Sequence, residues 1–476
     1  MTIMLGSRAD FTLENCKEVA WGGASVVFTD LAKAKMAEAR AMMMRLVERP
    51  DITIYGVNTG YGHQAKTRLD EQQRQKHAEK ATFHRAASWG DPLPERVARA
   101  IVFARLANFI EGHSAITPGV VEAVAAMLGG EKLPSVPTRG QGRPGEILSL
   151  SHLFLHVSEK HALGPKDMLS LINGSPAASA LVADAALAAH ARLEVTAEVL
   201  AFAAEAFNAP HGHFAAELEG YWNNPFDARA LSTLRNLMGP GNGTPRRPYQ
   251  APVSVRILPR VLGQAYRAAA GADEIARQSL MAVSDNPVVI PEAERLGPDP
   301  VISTGGYHNM QAAAAMDALV AAYTNLAVLA GRIAAKLQDG AVSLLPPFLG
   351  MMEGRNNLGV LPMAMVNYEE EMRMLAQPTL LPGSESGGFA QDDVSSPVFL
   401  AWSKIDRAGL LLDQTLATLA PIARRALEVT KRPVPAALQN LAAETARHFP
   451  DAEEKRPYGQ DIAELADAFR AKIYRA

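Results

Sequence analysis

Cysteine is almost missing from this sequence, which has only Cys16 in 476 residues. A single cysteine excludes a disulfide within the chain and any zinc site built on cysteine, and it is typical of proteins of the reducing cytoplasm. No basic segment followed by an apolar one opens the chain, and no apolar run approaches the roughly 20 residues that span a bilayer. These absences predict a cytoplasmic protein without a membrane segment.

An excess of charge of either sign is also missing. The 47 Lys and Arg residues nearly balance the 50 Asp and Glu residues, for a net charge of −3. Proteins that bind nucleic acids or membrane surfaces usually carry a basic excess in a patch, so the composition argues against both classes. The 12 histidines contain no pair at metal-ligand spacing, and we expect no metal site.

Strand signals are scarce, and the better two are DITIY (51–55) and PVVI (287–290). Helix signals dominate: Thr29 and Asp30 offer an N-cap to a helix that Pro50 closes. Ala- and Leu-rich stretches predict further helices at about 95–112, 118–129, 178–206, 309–339 and 398–431. The last two are far longer than the usual helix of about 11–12 residues. They are apolar around much of their circumference, which favours burial in a bundle or a subunit interface.

Gly- and polar-rich loops separate the helices with unusual density. A single loop of this kind is usually a connector, although loops carry function more often than the scaffold does. The order of these loops along the chain is therefore more informative than any one of them. They are YGVNTGYGH (55–63), PTRGQGRPGE (137–146), INGS (172–175), MGPGNGTPRRPYQ (238–250), STGGYHN (303–309) and PGSESGGFAQDD (382–393).

Taken in order, these segments resemble the aromatic amino-acid ammonia-lyases, the family of histidine and tyrosine ammonia-lyase. YGVNTGYG is similar to the family's Y-G-[IV]-N-T-G-[FY]-G loop, whose first residue, here Tyr55, serves as catalytic base. SLINGS resembles L-[LI]-N-G-T and places the family's active-site asparagine at Asn173. GGYH resembles G-N-F-H and places a further catalytic residue at Tyr307. The resemblance covers about residues 20–400.

Two more segments carry the resemblance into the second half of the chain. YQAPVSVRILPRVLG resembles Q-D-x-Y-S-x-R-x-x-P-Q-V-x-G, which gives Gln250 and the carboxylate-binding Arg256. EMRMLAQP resembles S-E-N-K-x-L-A-H-P and places the family's acidic residue at Glu371. The family fold implied is all-α, an ammonia-lyase/fumarase-like bundle of long helices with a loop-rich N-terminal active-site domain. We expect that domain at residues 1–185, with the central bundle and C-terminal helices at 186–476. The resemblance also implies a homotetramer whose sites are shared between subunits.

The departures from the family pattern concern its cofactor. The family builds a 4-methylideneimidazol-5-one electrophile from Ala-Ser-Gly, and this sequence has Arg143-Pro144-Gly145 there, in a stretch one residue shorter. Forming that group requires loss of the serine hydroxyl, which Pro144 lacks, so we expect no cofactor. A family tyrosine is replaced by Val253 and the motif's aspartate by Ala251.

Without the electrophile, such a site keeps a base, a carboxylate clamp and a shaped pocket. These suffice for β-elimination when the leaving group is already activated, as a trimethylammonium group is, because it departs as neutral trimethylamine. The ergothionases are similar to this scaffold and likewise lack the electrophile. The sequence therefore predicts a carbon–nitrogen lyase that releases trimethylamine from ergothioneine or trimethylhistidine and forms a urocanate-type acrylate. The alternatives are another cofactor-free elimination, isomerisation or conjugate addition, or a non-catalytic ligand-binding relic.

The remaining candidate residues surround this chemistry. A tyrosine has a pKa of about 10, and cations such as Arg256, Lys66 and Arg85 would favour its phenolate. His84, which with Arg85 stands at the family's substrate-selecting pair, either hydrogen-bonds a polar ring or is an ordinary half-buried histidine. Glu371 either accepts a hydrogen bond from a ring N–H or lies on a solvated helix face. Two or three aromatic residues are expected around the cation, from among Tyr61, Phe83, Trp89, Tyr307 and Tyr368.

Overall fold

α-Helices make up most of the computed structural model, which describes residues 1–60, 64–79, 83–240, 245–351, 357–385, 392–450 and 456–475. The helices are α1 Leu13–Ala20, α2 Asp30–Val47, α3 Glu71–Glu79, α4 Glu95–Ala107, α5 Pro118–Ala126, α6 Ile147–Phe154, α7 Val157–Lys160, α8 Asp167–Ile172, α9 Pro176–Ala206, α10 Glu217–Trp222, α11 Pro225–Met238, α12 Val253–Arg256, α13 Leu258–Leu280, α14 Met310–Gln338, α15 Gly340–Ser343, α16 Leu361–Leu375, α17 Val398–Val429, α18 Gln439–His448 and α19 Tyr458–Ile473. The predicted all-α class is confirmed.

Four long helices, α9, α13, α14 and α17, pack against one another at the centre. Almost every residue of the Ala-rich α9 is buried, and small side chains allow neighbouring helix axes to come close. The predicted long helices are confirmed, with α14 covering 29 residues and α17 covering 32. One buried apolar cluster runs from the N-terminal segment through these helices to α19. The expected domain division at residues 185 and 186 falls inside α9, and it stays a prediction.

A buried ion pair joins two of the central helices. Arg192 of α9 donates from Nε and Nη2 to the two carboxylate oxygens of Asp413 in α17, at 2.8 and 3.0 Å. Both side chains are buried. A Cβ atom at Gly409 would lie 2.7 Å from the Arg192 guanidinium carbon, so only glycine leaves room for this pair. The pair sets the register of α9 against α17 because its bidentate geometry tolerates little displacement.

The N-terminal helix α2 begins as its sequence predicts. The Thr29 hydroxyl accepts a hydrogen bond from the backbone N–H of Ala32 at 3.2 Å, and the helix ends at Val47, shortly before Pro50. The Thr29 N-cap is therefore confirmed.

Strands are few and short in the described residues. β1 Thr2–Leu5 pairs in parallel with β2 Ser25–Phe28, and two antiparallel pairs follow, β3 Trp89–Pro92 with β4 Pro137–Arg139 and β5 Val288–Val289 with β6 Val301–Ile302. The strand predicted at 287–290 is confirmed in its two central residues. The strand predicted at 51–55 is wrong, because the Asn58 side chain takes the hydrogen bonds of that backbone: it accepts from Ile54 N–H and donates to Ile52 C=O.

Two helical segments are long and apolar enough to cross a membrane by length and composition. Asp167–Ala206 has a mean hydropathy of 1.2 over its most apolar window, and Met310–Gln338 has 1.5. These windows are 94% and 61% buried inside the structure, as the core helices of a globular protein are. The expectation that no apolar run approaches the length of a membrane span is thus corrected. Alanine counts as apolar in the hydropathy average, and here the alanines lie in contacts between helices.

Candidate active site

The turn that carries Tyr55 is formed by the side chain of Asn58. Its amide oxygen accepts from the Ile54 N–H at 2.7 Å, and its amide nitrogen donates to the Ile52 carbonyl at 2.8 Å. Both halves of a buried amide are therefore used to bend the chain, which leaves Tyr55 at the bend, half-buried. Tyr61, a candidate for the aromatic lining, lies outside the described residues.

Tyr307 lies in a loop 252 residues further along the chain, close enough for Tyr55 to act on its hydroxyl electrostatically. Burial raises the pKa of the Tyr307 hydroxyl, and so do negative charges on Asp392, Tyr55 and Asp393. The structure thus brings together the two tyrosines that the sequence predicts as catalytic. Because its pKa is raised, Tyr307 holds its proton at neutral pH and remains a hydrogen-bond donor.

Asn173 lies against Gly145, the last residue of the segment Arg143-Pro144-Gly145 that the sequence pattern aligns with the family's cofactor triplet. A Cβ atom at Gly145 would stand 2.2 Å from the Asn173 amide oxygen, and Gly145 has a φ of +66°, so both contact and backbone require glycine. The N–H of Gly174 donates to the carbonyl of Gly145 at 3.1 Å. The Asn173 amide nitrogen donates to the carbonyl of Asn286 at 3.1 Å. The side-chain oxygen of Asn286 in turn accepts from the N–H of Thr304, in the loop of Tyr307.

A second set of contacts joins the same replaced loop to residues 392–396. Arg143 donates from Nη2 to a carboxylate oxygen of Asp392 at 2.7 Å. The Ser395 hydroxyl donates to the carbonyl of Gly142 at 2.7 Å, and the Ser395 carbonyl lies 3.2 Å from Nε2 of His308. These bonds hold three loops together around Tyr307. In the sequence, Arg143 stands out only because it departs from the family pattern. Asp392 could have been found from the two aspartates that end the Gly-rich loop at 382–393.

Buried charged side chains hold the segments of Asn173 and Gly145 in place. Arg105 is fully buried, and its guanidinium donates to the backbone carbonyl of Asn173. Lys166 and Asp285, also fully buried, form a 2.8 Å ion pair. Glu146, which follows Gly145, accepts hydrogen bonds from the N–H groups of Ala177 and Ala178 at 2.6 and 2.8 Å. Burial raises the pKa of Glu146 to about 8 against the effect of those two donors.

Arg256 and Gln250 belong to another part of the chain. Arg256 is the last residue of α12 and lies near His213, whose pKa is lowered by burial and then by the cations Arg256 and Arg247. Nε of Arg256 is buried and has no hydrogen-bond partner among the described residues. Gln250 is exposed, and the backbone N–H next to it, of Ala251, donates to Nε2 of His213 at 3.1 Å.

The other predicted binding residues lie at the edge of the site or apart from it. His84 and Arg85 form a short 3-10 turn, Phe83–Arg85; His84 is exposed and Arg85 half-buried. Lys66 is exposed. Both carboxylate oxygens of Glu371 accept from Arg407 of α17, at 2.5 and 2.8 Å. Within one chain, Glu371 is thus engaged in an ion pair, and its contact with a substrate ring stays a prediction.

The binding of a metal ion finds no support in the part of the chain that the structure describes. No group of three or more His, Cys, Asp or Glu side chains there could hold one.

Comparison with known proteins identifies the family of this chain. The aromatic amino acid lyase family model matches residues 11–162 and 156–448. Histidine ammonia-lyase of Deinococcus radiodurans is 28% identical over 416 residues, covering 81% of this chain and 78% of that protein. Ergothionase of Treponema denticola, solved with desmethyl-ergothioneine sulfonic acid, superposes with a TM-score of 0.90 at 19% identity, covering 100% and 99% of the two chains. Histidine ammonia-lyase of Trypanosoma cruzi superposes with a TM-score of 0.85 at 22% identity, covering 100% and 96%. The resemblance stated from the motifs is confirmed: this chain belongs to the aromatic amino acid lyase family.

Proposed function

We propose that this protein is a carbon–nitrogen lyase that releases trimethylamine from a histidine-derived betaine, ergothioneine or trimethylhistidine, and leaves a urocanate-type acrylate. The observation that carries the proposal is the meeting of Tyr55, Tyr307 and Asn173 around the loop Arg143-Pro144-Gly145. The residue types of the family motifs are present there, while the Ala-Ser-Gly from which the family builds its electrophile is not. The reducing cytoplasm is the proposed location, in keeping with the single buried Cys16.

The residues at the triplet position do not fit the family's electrophile. Pro144 has no hydroxyl to lose, so the dehydration that completes the group cannot occur. The side chain of Arg143 is turned to Asp392, and the carbonyl of Gly145 accepts from Gly174 in an ordinary backbone hydrogen bond. We therefore derive a mechanism that contains no covalent capture of the substrate.

In this mechanism, Tyr55 as phenolate takes the proton from the carbon next to the ring. The electrons of that C–H bond form the new carbon–carbon double bond, and the electrons of the C–N bond leave with the nitrogen as neutral trimethylamine. No acid is needed for departure because the quaternary nitrogen already carries the positive charge that its departure neutralises. Tyr307, whose pKa is raised by burial, keeps its proton and is the proposed hydrogen-bond donor to the phenolate of Tyr55.

Arg256 holds the substrate carboxylate in the proposed mechanism. A planar guanidinium suits a two-pronged bond to a carboxylate, and the buried Nε of Arg256 has no partner among the described residues. Because Arg256 lies near His213 within one chain, we propose that it serves a site shared between subunits of a homotetramer. Exposed apolar side chains accompany both α12 and the Glu371 helix α16, and they suit a subunit contact; they are Val253, Ile257, Met363, Val366 and Met374.

We expect the mass of the intact protein to equal the mass of its sequence, apart from removal of the initiator Met, because no serine is available for dehydration at 143–145. Intact-protein and peptide mass spectrometry measure this. A histidine ammonia-lyase that contains Ala-Ser-Gly, treated in parallel, should show the loss of two waters. The same loss in the peptide of this protein that contains Pro144 would disprove the proposal of an unmodified loop.

We expect trimethylated substrates to react and the matching primary amines to be nearly inert, because nothing in the site activates ammonia as a leaving group. Purified protein is incubated with ergothioneine, trimethylhistidine and histidine, and trimethylamine, ammonia and near-UV absorbance are followed. If histidine turned over as fast as trimethylhistidine, the trimethylamine-lyase proposal would be wrong.

Tyr55→Phe should lower kcat by at least about 10²-fold on the reactive betaine, because it removes the base and keeps the ring. Arg256→Ala should in addition raise KM, since it removes charge-assisted hydrogen bonds to the carboxylate. Tyr221→Phe, at an exposed tyrosine of α10, is the matched control and should leave kcat unchanged. An unimpaired kcat in Tyr55→Phe contradicts the assignment of the base.

Light scattering at micromolar concentration should give the mass of a tetramer, because the exposed apolar side chains named above would be buried when subunits associate. Changing Met363 and Val366 to Glu should shift the mass downwards, and the double change Lys33→Gln and Glu122→Gln, at an exposed pair of α2 and α5, should not. A monodisperse monomer for the unchanged protein contradicts the tetramer and the shared site.

A further inference from the structure

The ion pair of Arg143 and Asp392 stands where the family has its electrophile. Nη2 of Arg143 and a carboxylate oxygen of Asp392 are 2.7 Å apart, and the two side chains are 33% and 17% exposed. The pair is therefore neither in solvent nor enclosed in the core. It lies beside Tyr307, whose hydroxyl responds to the charge of Asp392.

Arg143 has N–H groups that do not bind its partner Asp392. Its Nε is buried and has no hydrogen-bond partner among the described residues. A guanidinium has five N–H donors in a rigid plane, so a bond to Asp392 through Nη2 leaves an edge for a second acceptor. A buried N–H without a partner is costly, and a ligand atom is one way to satisfy it. An anionic oxygen is the acceptor that a cationic donor binds most strongly.

The surroundings of Asp392 suit a cation that cannot donate hydrogen bonds. Arg143, Asp392 and the neighbouring Asp393 together carry a net charge of −1, and Tyr307 adds no charge while it holds its proton. The rings of Tyr55 and Tyr307 come from the same loop cluster. A quaternary ammonium has no N–H, so it is recognised by charge and by aromatic faces rather than by directed bonds.

We propose that the Arg143–Asp392 ion pair recognises the zwitterionic head of the substrate, with Arg143 binding the carboxylate and Asp392 facing the trimethylammonium group. The inference rests on the proposed function, because that function makes a betaine the ligand. In an α-betaine, the carboxylate and the ammonium group are attached to one carbon. When Arg143 binds the carboxylate, the ammonium group therefore comes close to Asp392, the ion-pair partner of Arg143. A carboxylate has two oxygens with about four acceptor sites, so Arg143 can donate to it while Arg256 holds both oxygens.

Two small ligands of equal shape separate the two halves of this proposal. Glycine betaine and 3,3-dimethylbutanoate differ only in a quaternary nitrogen that is replaced by carbon, so the second keeps the carboxylate and loses the positive charge. We expect the unchanged protein to bind glycine betaine at least about tenfold more tightly, a difference of about 1.4 kcal/mol. Dissociation constants are measured by ligand-observed NMR, which requires no turnover.

Asp392→Asn should reduce that preference to within about threefold, and Arg143→Gln should weaken both ligands by about tenfold or more while the preference remains. The double variant Arg143→Gln with Asp392→Asn replaces both charges with amides that can still hydrogen-bond to each other. If a single variant unfolds, the double variant tests the same losses of affinity and of preference. Arg456 and Asp461 form a pair of similar exposure, with Nε and Oδ2 2.6 Å apart, and Arg456→Gln and Asp461→Asn serve as controls that should change neither constant.

Three results overturn the inference: no preference for glycine betaine in the unchanged protein, a preserved preference in Asp392→Asn, or an unchanged affinity for 3,3-dimethylbutanoate in Arg143→Gln. The proposed function fails separately. A preference that depends on Asp392, without release of trimethylamine from any betaine, rejects the lyase activity and keeps the recognition. Release of trimethylamine from a betaine, without a preference that depends on Asp392, rejects the recognition and keeps the lyase activity.

Discussion

The contact between Glu146 and the start of α9 is the constraint on which the site depends. The first N–H groups of any helix lack partners inside the helix and need acceptors from elsewhere. α9 begins with Pro176, and the side chain of its N-cap, Ser175, does not cap it. The two carboxyl oxygens of Glu146 accept from the N–H groups of Ala177 and Ala178 instead. Because Glu146 directly follows Gly145, this contact attaches the replaced loop to the central bundle.

From that attachment, the geometry of the other loops follows. Gly145 lies under Asn173, Asn173 bonds to Asn286, and Asn286 bonds to the loop that leads to Tyr307. Arg143, two residues before Gly145, reaches Asp392 on the other side. At the position predicted for the family's electrophile, this chain has the Arg143–Asp392 ion pair. An ion pair offers no electrophilic carbon to a substrate, which is why the proposed mechanism needs a leaving group that is already activated.

The motifs predicted the catalytic tyrosines, but they did not reveal the setting of the binding residues. Tyr55 and Tyr307 are far apart in sequence and close in the fold, which two short motifs could suggest only through the family resemblance. The sequence leaves two alternatives for Glu371, a hydrogen bond to a substrate ring or a solvated helix face, and within one chain both of its oxygens bind Arg407. Nothing in the run of three glutamates at 369–371 indicates that partner, because Arg407 lies on a helix that begins more than 20 residues later.

The sequence by itself determined the helical class, the N-cap of α2 and the long central helices, since each depends on local chemistry: a hydrophobic period or a capping hydroxyl. From a proline without a hydroxyl it also predicts the loss of the electrophile. It also indicated a strand at 51–55 that does not form. Only the tertiary structure decided that Asn58 bends that segment, that Arg143 pairs with Asp392, and that Glu146 caps α9. These contacts join residues whose pairing depends on how helices and loops pack in three dimensions, and no local pattern specifies that packing.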